Sequence, residues 1–232
     1  MKVLLVNGSP HKEGCTYTAL REVEKDLNKQ GIETEIFWVD VKPIAGCIAC
    51  KSCAKTGKCV FDDVVNDFLD KAKEADGFIF GTPVHYAAAS GALTSFMDRV
   101  FYVDSMAKKR LFVLKPAAVV ISARRAGTTA TFDQINKYFS ISQMPIISSR
   151  YWNMVHGATP EDVMKDEEGL QIMRVLGRNM AYFLKCKEAG EKIGIEPPEI
   201  EDNIYTNFIK WNVNFEWIIL TCKITNIKML AC

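Results

Sequence analysis

Short apolar segments alternate with amphipathic segments along most of the chain, and this alternation restricts the fold more than any other feature of the sequence. The first apolar segment, residues 2–7, is ended by a Gly-Ser-Pro sequence. Between residues 16 and 30, Leu20, Val23 and Leu27 recur at spacings of three and four with charged residues between them, which predicts an amphipathic helix. Continuous apolar strands that alternate with such helices predict a parallel sheet covered on both faces.

The predicted elements follow one another as βαβαβαβαβα. The strands are predicted at residues 2–7, 33–39, 77–81, 117–122 and 144–149. The helices are predicted at residues 16–30, 64–75, 91–100, 131–139 and from 159 to about 189. The last helix is expected to begin with Thr159 as its N-cap and Pro160 in its first turn. The predicted fold class is therefore α/β, with an open parallel five-stranded sheet and helices on both faces.

Charge and hydropathy exclude several classes of function. Lys and Arg number 29 and Asp and Glu 28, so the formal net charge of +1 predicts no interaction with nucleic acid. The N-terminal apolar run is too short for a signal peptide, and no uncharged apolar run approaches the roughly 18 residues that span a bilayer. We therefore expect a cytoplasmic protein with no membrane partner, whose thiols are reduced.

Three loops rich in Gly, Ser and Thr follow predicted strands at their carboxyl ends, at residues 8–16, 82–91 and 122–129. Ligands bind at that edge of open parallel sheets, near the point where the strand order reverses. We therefore expect all three loops to face one crevice.

The first of these loops, GSPHKEGCT, joins a predicted strand to a predicted helix and is neither a P-loop nor a G-x-G-x-x-G motif. Its backbone N–H groups, Ser9 and Thr16 suit a phosphate dianion, and His11 and Lys12 are nearby in sequence. A plain strand–helix turn fits the same residues equally well.

The other two loops carry candidate ring and phosphate contacts. The second, GTPVHYAAASG, presents His85 and Tyr86 beside small residues, which suits a flat and mostly apolar heterocycle. The alternatives are a locally hydrogen-bonded surface histidine and a tyrosine used only for packing. The third, SARRAGTT, brings Arg124 and Arg125 to the same edge, where they suit phosphate contacts or form a solvated surface pair.

Four of the eight cysteines, Cys47, Cys50, Cys53 and Cys59, lie within 13 residues in the long loop after the second predicted strand. Clustered cysteines in a reducing compartment favour metal or redox chemistry over a disulfide scaffold. The compact C-x2-C-x2-C-x5-C run favours a single [4Fe–4S] cluster, because structural zinc usually divides its ligands into two distant pairs. Zinc and free, redox-active thiols stay open as alternatives.

Together, the segments GSPHKEGCT, TPVHYAAASGALTSFMDR and SARRAGTT resemble the phosphate, isoalloxazine and third flavin loops of the NAD(P)H-dependent FMN reductase family. The resemblance covers residues 1–210 and implies a flavodoxin-like fold. It also implies an oxidoreductase whose bound FMN takes hydride from NADH or NADPH. The electrons would then pass to a small-molecule or ferredoxin-type acceptor.

The run CIACKSCAKTGKC further resembles the cysteine motif of the iron–sulfur flavoproteins, a branch of the same family. That resemblance implies a [4Fe–4S] cluster on the four cysteines. It also implies a homo-oligomer, dimer or tetramer, in which electrons cross a subunit interface between the cluster and FMN.

The same resemblance assigns the candidate cofactor residues. Ser9, His11, Cys15 and Thr16 would hold the FMN phosphate, and the ring would contact Thr82, Pro83, Val84, His85, Tyr86, Ser122, Ala123, Arg124 and Arg125. The two arginines would alternatively meet the phosphates of the nicotinamide cofactor. No catalytic nucleophile or general base is expected, because the flavin carries the chemistry. His11 stands where the family commonly has Arg, and Cys15 where it often has Asn or Ser, so a weaker phosphate clamp is expected.

We expect residues 1–210 to form one FMN-binding domain with its cysteine loop at 43–63, followed by an atypical C-terminal tail at 211–232. The tail has 14 apolar residues in 22, which predicts an extension that packs on the domain or on a partner chain, or a strand-prone appendage without a role in the chemistry. Two other classes of function stay open: a flavodoxin-like electron carrier without a dedicated substrate, and a non-flavin binding or regulatory module with a structural metal.

Overall fold

The computed structural model describes residues 1–199, 201 and 204. The chain divides into two compact units, Met1–Gly194 and Ile195–Cys232, and the helices and strands described below all belong to the first unit. The predicted tail at 211–232 and the predicted domain end at residue 210 lie outside the described residues.

The sheet has five parallel strands and one short antiparallel addition. The strands are β1 (Lys2–Asn7), β2 (Glu33–Trp38), β3 (Gly77–His85), β4 (Ala88–Ala89), β5 (Ala117–Ala123) and β6 (Met154–His156). The parallel strands lie in the order β2-β1-β3-β5-β6, and β4 forms a hairpin with β3. This order confirms the predicted flavodoxin-like α/β fold with an open five-stranded parallel sheet.

Helices cover both faces of the sheet. They are α1 (Cys15–Lys29), α2 (Cys53–Thr56), α3 (Val64–Ala72), α4 (Gly91–Met106), α5 (Thr128–Ile141), α6 (Pro160–Val163) and α7 (Glu167–Lys192). Because successive side chains of a strand point to opposite faces, Val3 and Leu5 pack with α1 and α7, whereas Leu4 and Val6 pack with α3, α4 and α5. No helix in the described part of the chain combines the length and the apolar character needed to cross a bilayer.

The predicted fifth strand at residues 144–149 is wrong. The backbone there pairs with β5 only briefly: the N–H of Ala117 donates to the carbonyl of Pro145 (2.9 Å), and the N–H of Ile147 donates to the carbonyl of Ala117 (2.8 Å). Beyond Ile147 the chain turns to α7 instead, where the Asn179 amide donates to the carbonyl of Ser148 (2.8 Å). The fifth strand forms only at β6, after the chain has returned to the sheet.

The predicted single helix from residue 159 is also wrong in its length. Thr159 does cap α6, since its hydroxyl accepts from the N–H of Asp162 (3.3 Å). Asp166 then caps a second helix, α7, by accepting from the N–H of Gly169 (2.9 Å). Two competing N-caps seven residues apart thus divide the predicted helix into α6 and α7.

Strand register brings the three candidate loops to one level at the carboxyl edge of the sheet. Asn7 at the end of β1 pairs with Gly81 of β3, and Pro83 of β3 pairs with Ser122 of β5. Ala123 pairs with His156 of β6. The chain winds in opposite directions from β1 to β2 and from β1 to β3, so a crevice is expected beside β1 and β3.

Candidate functional site

An open cleft of ≈ 290 Å³ lies at this carboxyl edge, and it brings together residues of all three candidate loops, the second through Pro83 and Val84. Its lining comprises Ser9, His11, Cys15, Thr16, Pro83, Val84, Ser122, Ala123, Arg124, Gly157 and Ala158. Four predicted cofactor residues are not part of this lining: Thr82, His85, Tyr86 and Arg125. Gly157 and Ala158, which follow β6, were missed by the sequence analysis because the fifth strand was placed too early.

Asn7, the last residue of β1, shapes the first loop from inside. It is fully buried, and its Oδ1 accepts from the N–H of Ser9 (3.1 Å). Its Nδ2 donates to the carbonyls of Lys12 (3.0 Å) and His11 (3.4 Å). The first loop turns away from the sheet and loses its hydrogen bonds to neighbouring strands. The Asn7 side chain therefore supplies hydrogen bonds to its backbone instead. Sequence reasoning took Asn7 only as the end of a strand.

The first loop also requires a very close approach of backbones. The N–H of Gly8 donates to the carbonyl of Gly81 (2.9 Å), and a Cβ on Gly8 would lie 2.7 Å from the Cβ of Leu93. A side chain at position 8 would therefore push the loop away from β3 and α4. This contact gives Gly8 a physical role that the sequence alone did not assign.

The start of α1 is suited to an anion. No side chain in the described residues caps this helix, and its first turn carries no acidic residue, so the N–H groups of the first turn are left for a ligand. Ser9 and Thr16 are buried beside it, and the Thr16 hydroxyl lies 2.8 Å from that of Ser122 in the third loop. That hydrogen bond ties the two loops together across the cleft.

Cys15 presents a neutral thiol to this anion site. Burial raises the pKa of Cys15 above its ordinary value, and the acidic side chains of Asp162 and Glu161 act in the same direction. Its Sγ donates to the carbonyl of Gly157 at 3.7 Å. A thiol held in this protonated form does not repel a bound phosphate.

Basic side chains lie at the rim of the cleft. His11 and Arg124 are exposed on its lining, and Lys12 lies with its Nζ 5.8 Å from the centre of the Trp38 ring. The Trp38 indole in turn donates to the carbonyl of Ser9 (2.9 Å), which holds the first loop against β2. Positive charge at this rim favours an anionic ligand over a neutral one.

The second loop is a tight hairpin beside the cleft. The Thr82 hydroxyl accepts from the N–H of Ser90 (3.1 Å) and donates to the carbonyl of Pro83 (3.0 Å), so it fixes the hairpin from within. Tyr86 at the tip has a φ of 64° and is fully exposed, and His85 is exposed beside it. A non-glycine residue in this left-handed region costs about 1–2 kcal/mol, and the conformation holds the ring of Tyr86 out from the sheet edge.

The four clustered cysteines converge on a second, smaller pocket of ≈ 20 Å³. Its lining comprises Cys47, Ile48, Cys50, Lys51, Cys53, Cys59, Val60, Phe61, Arg99, Tyr102 and Val103. Cys53 is buried at the start of α2, whereas Cys47 and Cys50 are exposed. Burial raises the pKa of the Cys53 thiol, and nearby Cys50 and Cys47 add to the effect. All four cysteines thus line one pocket, and their role as ligands stays a prediction.

The pocket does not have the spacing of a single-ion site. Within residues 1–199, 201 and 204, no three His, Cys, Asp or Glu side chains are arranged to hold one metal ion. Ala49 and Lys51, on either side of Cys50, have φ values of 52° and 59°. This left-handed backbone turns the Cys50 segment sharply within the pocket wall.

Two polar residues that the sequence analysis did not single out anchor Cys59. The Asn66 side chain accepts from the Cys59 N–H (2.9 Å) and donates to the carbonyls of Cys59 (3.1 Å) and Phe61 (3.0 Å). The Arg99 guanidinium, on α4, donates from Nε to the Cys59 Sγ at 3.2 Å. Arg99 and Asn66 are almost fully buried on helix faces that are otherwise apolar. A polar residue at such a helix position was the signal in the sequence that could have identified them.

The chain is similar in sequence to one protein family and to individual proteins within it. The family model described as NADPH-dependent FMN reductase matches residues 1–159. The iron-sulfur flavoprotein MJ1083 of Methanocaldococcus jannaschii is 34% identical over 194 residues, which are 80% of this chain and 98% of the relative. A second iron-sulfur flavoprotein of that organism, MJ0731, is 29% identical over 198 residues, 81% of this chain and 98% of the relative.

Among solved structures, a flavodoxin from the domain Archaea superposes with a TM-score of 0.53 at 16% identity. The superposition covers 80% of this chain and 99% of that flavodoxin, so it supports the fold.

Proposed function

The chain belongs to the NADPH-dependent FMN reductase family, and from this premise we propose that it oxidises NAD(P)H through bound FMN and a [4Fe–4S] cluster. Membership of the family makes it an FMN flavoprotein oxidoreductase. The finer parts of the proposal are the nicotinamide electron donor, the cluster on the four cysteines, and a small-molecule or protein acceptor.

The observation that carries the proposal is the cleft between the first and third loops. The FMN phosphate would lie against the uncapped start of α1, where Ser9 and Thr16 offer hydroxyl donors. The close packing of Gly8 on Leu93 leaves the loop backbone, rather than a side chain, at this end of the cleft. Backbone N–H groups and small hydroxyls are the donors that a phosphate ester requires.

When bound, FMN would accept hydride from a nicotinamide and release the electrons to an acceptor. The residues of the chain bind and orient, and none is needed as an acid or base. Pro83, Val84 and Ala123 offer apolar surface to the flavin ring, and Arg124 at the rim would meet a phosphate of the nicotinamide cofactor. The exposed Tyr86 and His85 would border the ring from the hairpin.

The donor set of the second pocket fits an iron–sulfur cluster. Zinc binds its four ligands at one centre, with Zn–S distances of about 2.3 Å. A [4Fe–4S] cluster places each thiolate on a different iron and so tolerates sulfurs that are farther apart. Four cysteine thiols that line one pocket support the cluster. When bound, it would carry electrons one at a time between FMN and an acceptor.

A composition and turnover experiment tests this function. Protein purified without oxygen is expected to contain about one FMN and about four irons with matching sulfide per chain, and to oxidise NADH or NADPH with a quinone as acceptor. Flavin and cluster without turnover would favour the electron carrier, which would then need a partner protein. A colourless protein that takes up no added FMN would contradict the proposal and favour the binding module.

Asn7→Ala is predicted to weaken FMN binding. The substitution removes the three hydrogen bonds that hold the first loop, at about 1 kcal/mol each. We expect at least about a tenfold rise in the FMN dissociation constant, measured by fluorescence titration of the apoprotein. Asn28→Ala, at the exposed far end of α1, is the control and should bind FMN as the wild type does. Equal affinity in all three proteins would remove the first loop from the site.

A further inference from the structure

Arg99 uses its whole guanidinium at the wall of the cysteine pocket. Its two terminal nitrogens donate to the Asp63 carboxylate at 2.7 and 2.8 Å, and its Nε donates to the Cys59 sulfur at 3.2 Å. The remaining N–H groups point to the carbonyls of Ala45 (3.4 Å) and Phe61 (3.5 Å). The group also lies 4.8 Å from the centre of the Phe61 ring.

This charge is almost completely removed from water. Arg99 is 1% exposed, and it occurs on a helix whose neighbouring positions, Met97 and Val100, belong to the apolar core. Burial alone would lower the pKa of Arg99, but its hydrogen bonds to Asp63 and Cys59 raise the pKa above its ordinary value, so the group stays charged. A buried charge of this kind adds little to stability compared with an apolar side chain, so its position calls for another explanation.

The hydrogen bond from Arg99 to the Cys59 sulfur supplies an explanation for this buried charge. We propose that Arg99 is a positioning residue of the four-cysteine site: it aims the Cys59 sulfur into the pocket and raises the reduction potential of the cluster held there. The inference rests on the proposed cluster. A positive charge and an N–H donor next to a ligating thiolate stabilise the reduced cluster, which carries one more negative charge.

Asn66 separates the electrostatic role from simple anchoring. It holds the same Cys59 segment, but through backbone groups, and none of its hydrogen bonds reaches the sulfur. If Arg99 served only to hold the loop, its loss and the loss of Asn66 would have the same kind of effect. If Arg99 also acts on the sulfur, only its loss will change the potential.

The test is a redox titration of the protein loaded with FMN and iron, followed by the electron paramagnetic resonance of the reduced cluster. Three variants are compared with the wild type: Arg99→Gln, which removes the charge, Arg99→Lys, which keeps it, and Asn66→Ala. We expect a more negative cluster midpoint in Arg99→Gln, a smaller shift in Arg99→Lys, and lower iron retention without a shift in Asn66→Ala.

Each result is decisive. Equal midpoints in the wild type and in both Arg99 variants would overturn the inference, as would matching shifts in Arg99→Gln and Asn66→Ala. If Arg99→Gln does not fold, the cluster midpoints of Arg99→Lys and Asn66→Ala are compared instead, and matching midpoints would overturn the inference. A wild-type protein that binds FMN but holds neither iron nor sulfide would overturn the proposed cluster itself, and with it the role of Arg99.

Discussion

Replacing Cys53 by Ser is expected to abolish the cluster and leave FMN bound. Cys53 is the most deeply buried of the four cysteines, at 5% exposure, and a serine hydroxyl there is a poor substitute for a thiolate ligand. The cysteine pocket and the cleft at the carboxyl edge share no lining residue. Loss of one site therefore need not disturb the other, and iron, sulfide and FMN per chain are the quantities to measure after anaerobic reconstitution.

The matched control for this variant is Cys186→Ser, which changes an exposed cysteine on α7 and should keep all the iron. Burying a serine hydroxyl in place of Cys53 costs about 1–3 kcal/mol, so the thermal unfolding of both apoproteins is compared first. Full iron occupancy in Cys53→Ser would refute the four-cysteine assignment. Loss of FMN along with the iron would show that the two sites are not separable.

The fold was predictable wherever the apolar pattern of a helix or strand shows which of its faces is buried. Strands β1, β2, β3 and β5 and helix α1 follow from apolar runs and from spacings of three and four, since these patterns decide which side chains leave water. The fifth strand was not predictable in this way. Residues 144–149 combine three apolar side chains with Pro145 and two serines, and beyond Ile147 the backbone leaves β5 for α7, where Asn179 donates to the carbonyl of Ser148. No local sequence pattern indicates that contact.

In the candidate sites, too, local sequence patterns indicated some residues and not others. Spacing placed the four cysteines in one loop, and all four line one pocket. The positions of loops after strands indicated that Thr16 and Ser122 would face one crevice, and their hydroxyls lie 2.8 Å apart. The residues that hold these groups escaped notice because their partners are distant in sequence. Arg99, for example, reaches back 40 positions to Cys59, and only tertiary structure reveals such a pair.

Helix α4 runs from the hairpin beside the cleft to the wall of the cysteine pocket. It begins directly after the hairpin, where the bond between Thr82 and Ser90 fixes its first turn. Arg99 follows eight residues after Gly91, which is about 12 Å along the helix axis. Because Arg99 and the hairpin lie on or beside the same helix, hairpin variants should be checked for iron as well as FMN.

Thr16→Asp is expected to eject FMN. Thr16 is 1% exposed on the lining of the cleft, beside the start of α1 where the phosphate would lie. A carboxylate about 4 Å from a phosphate charge costs about 4 kcal/mol at the dielectric typical of partly buried sites. This corresponds to a loss of affinity of about 1,000-fold, measured as the dissociation constant of FMN for the apoprotein.

Packing alone could produce part of this loss, and Thr16→Asn isolates the contribution of charge. Asn and Asp have nearly the same size. Both would have to fit in the tight space beside Gly81, where even a Cβ on Gly81 would lie 2.8 Å from the Thr16 methyl group. Both variants should therefore bind riboflavin, which lacks the phosphate, with equal affinity. Only Thr16→Asp should fail with FMN. If the two variants bound FMN equally, the negative charge at position 16 would not meet the phosphate, and the phosphate would have to lie elsewhere along the carboxyl edge.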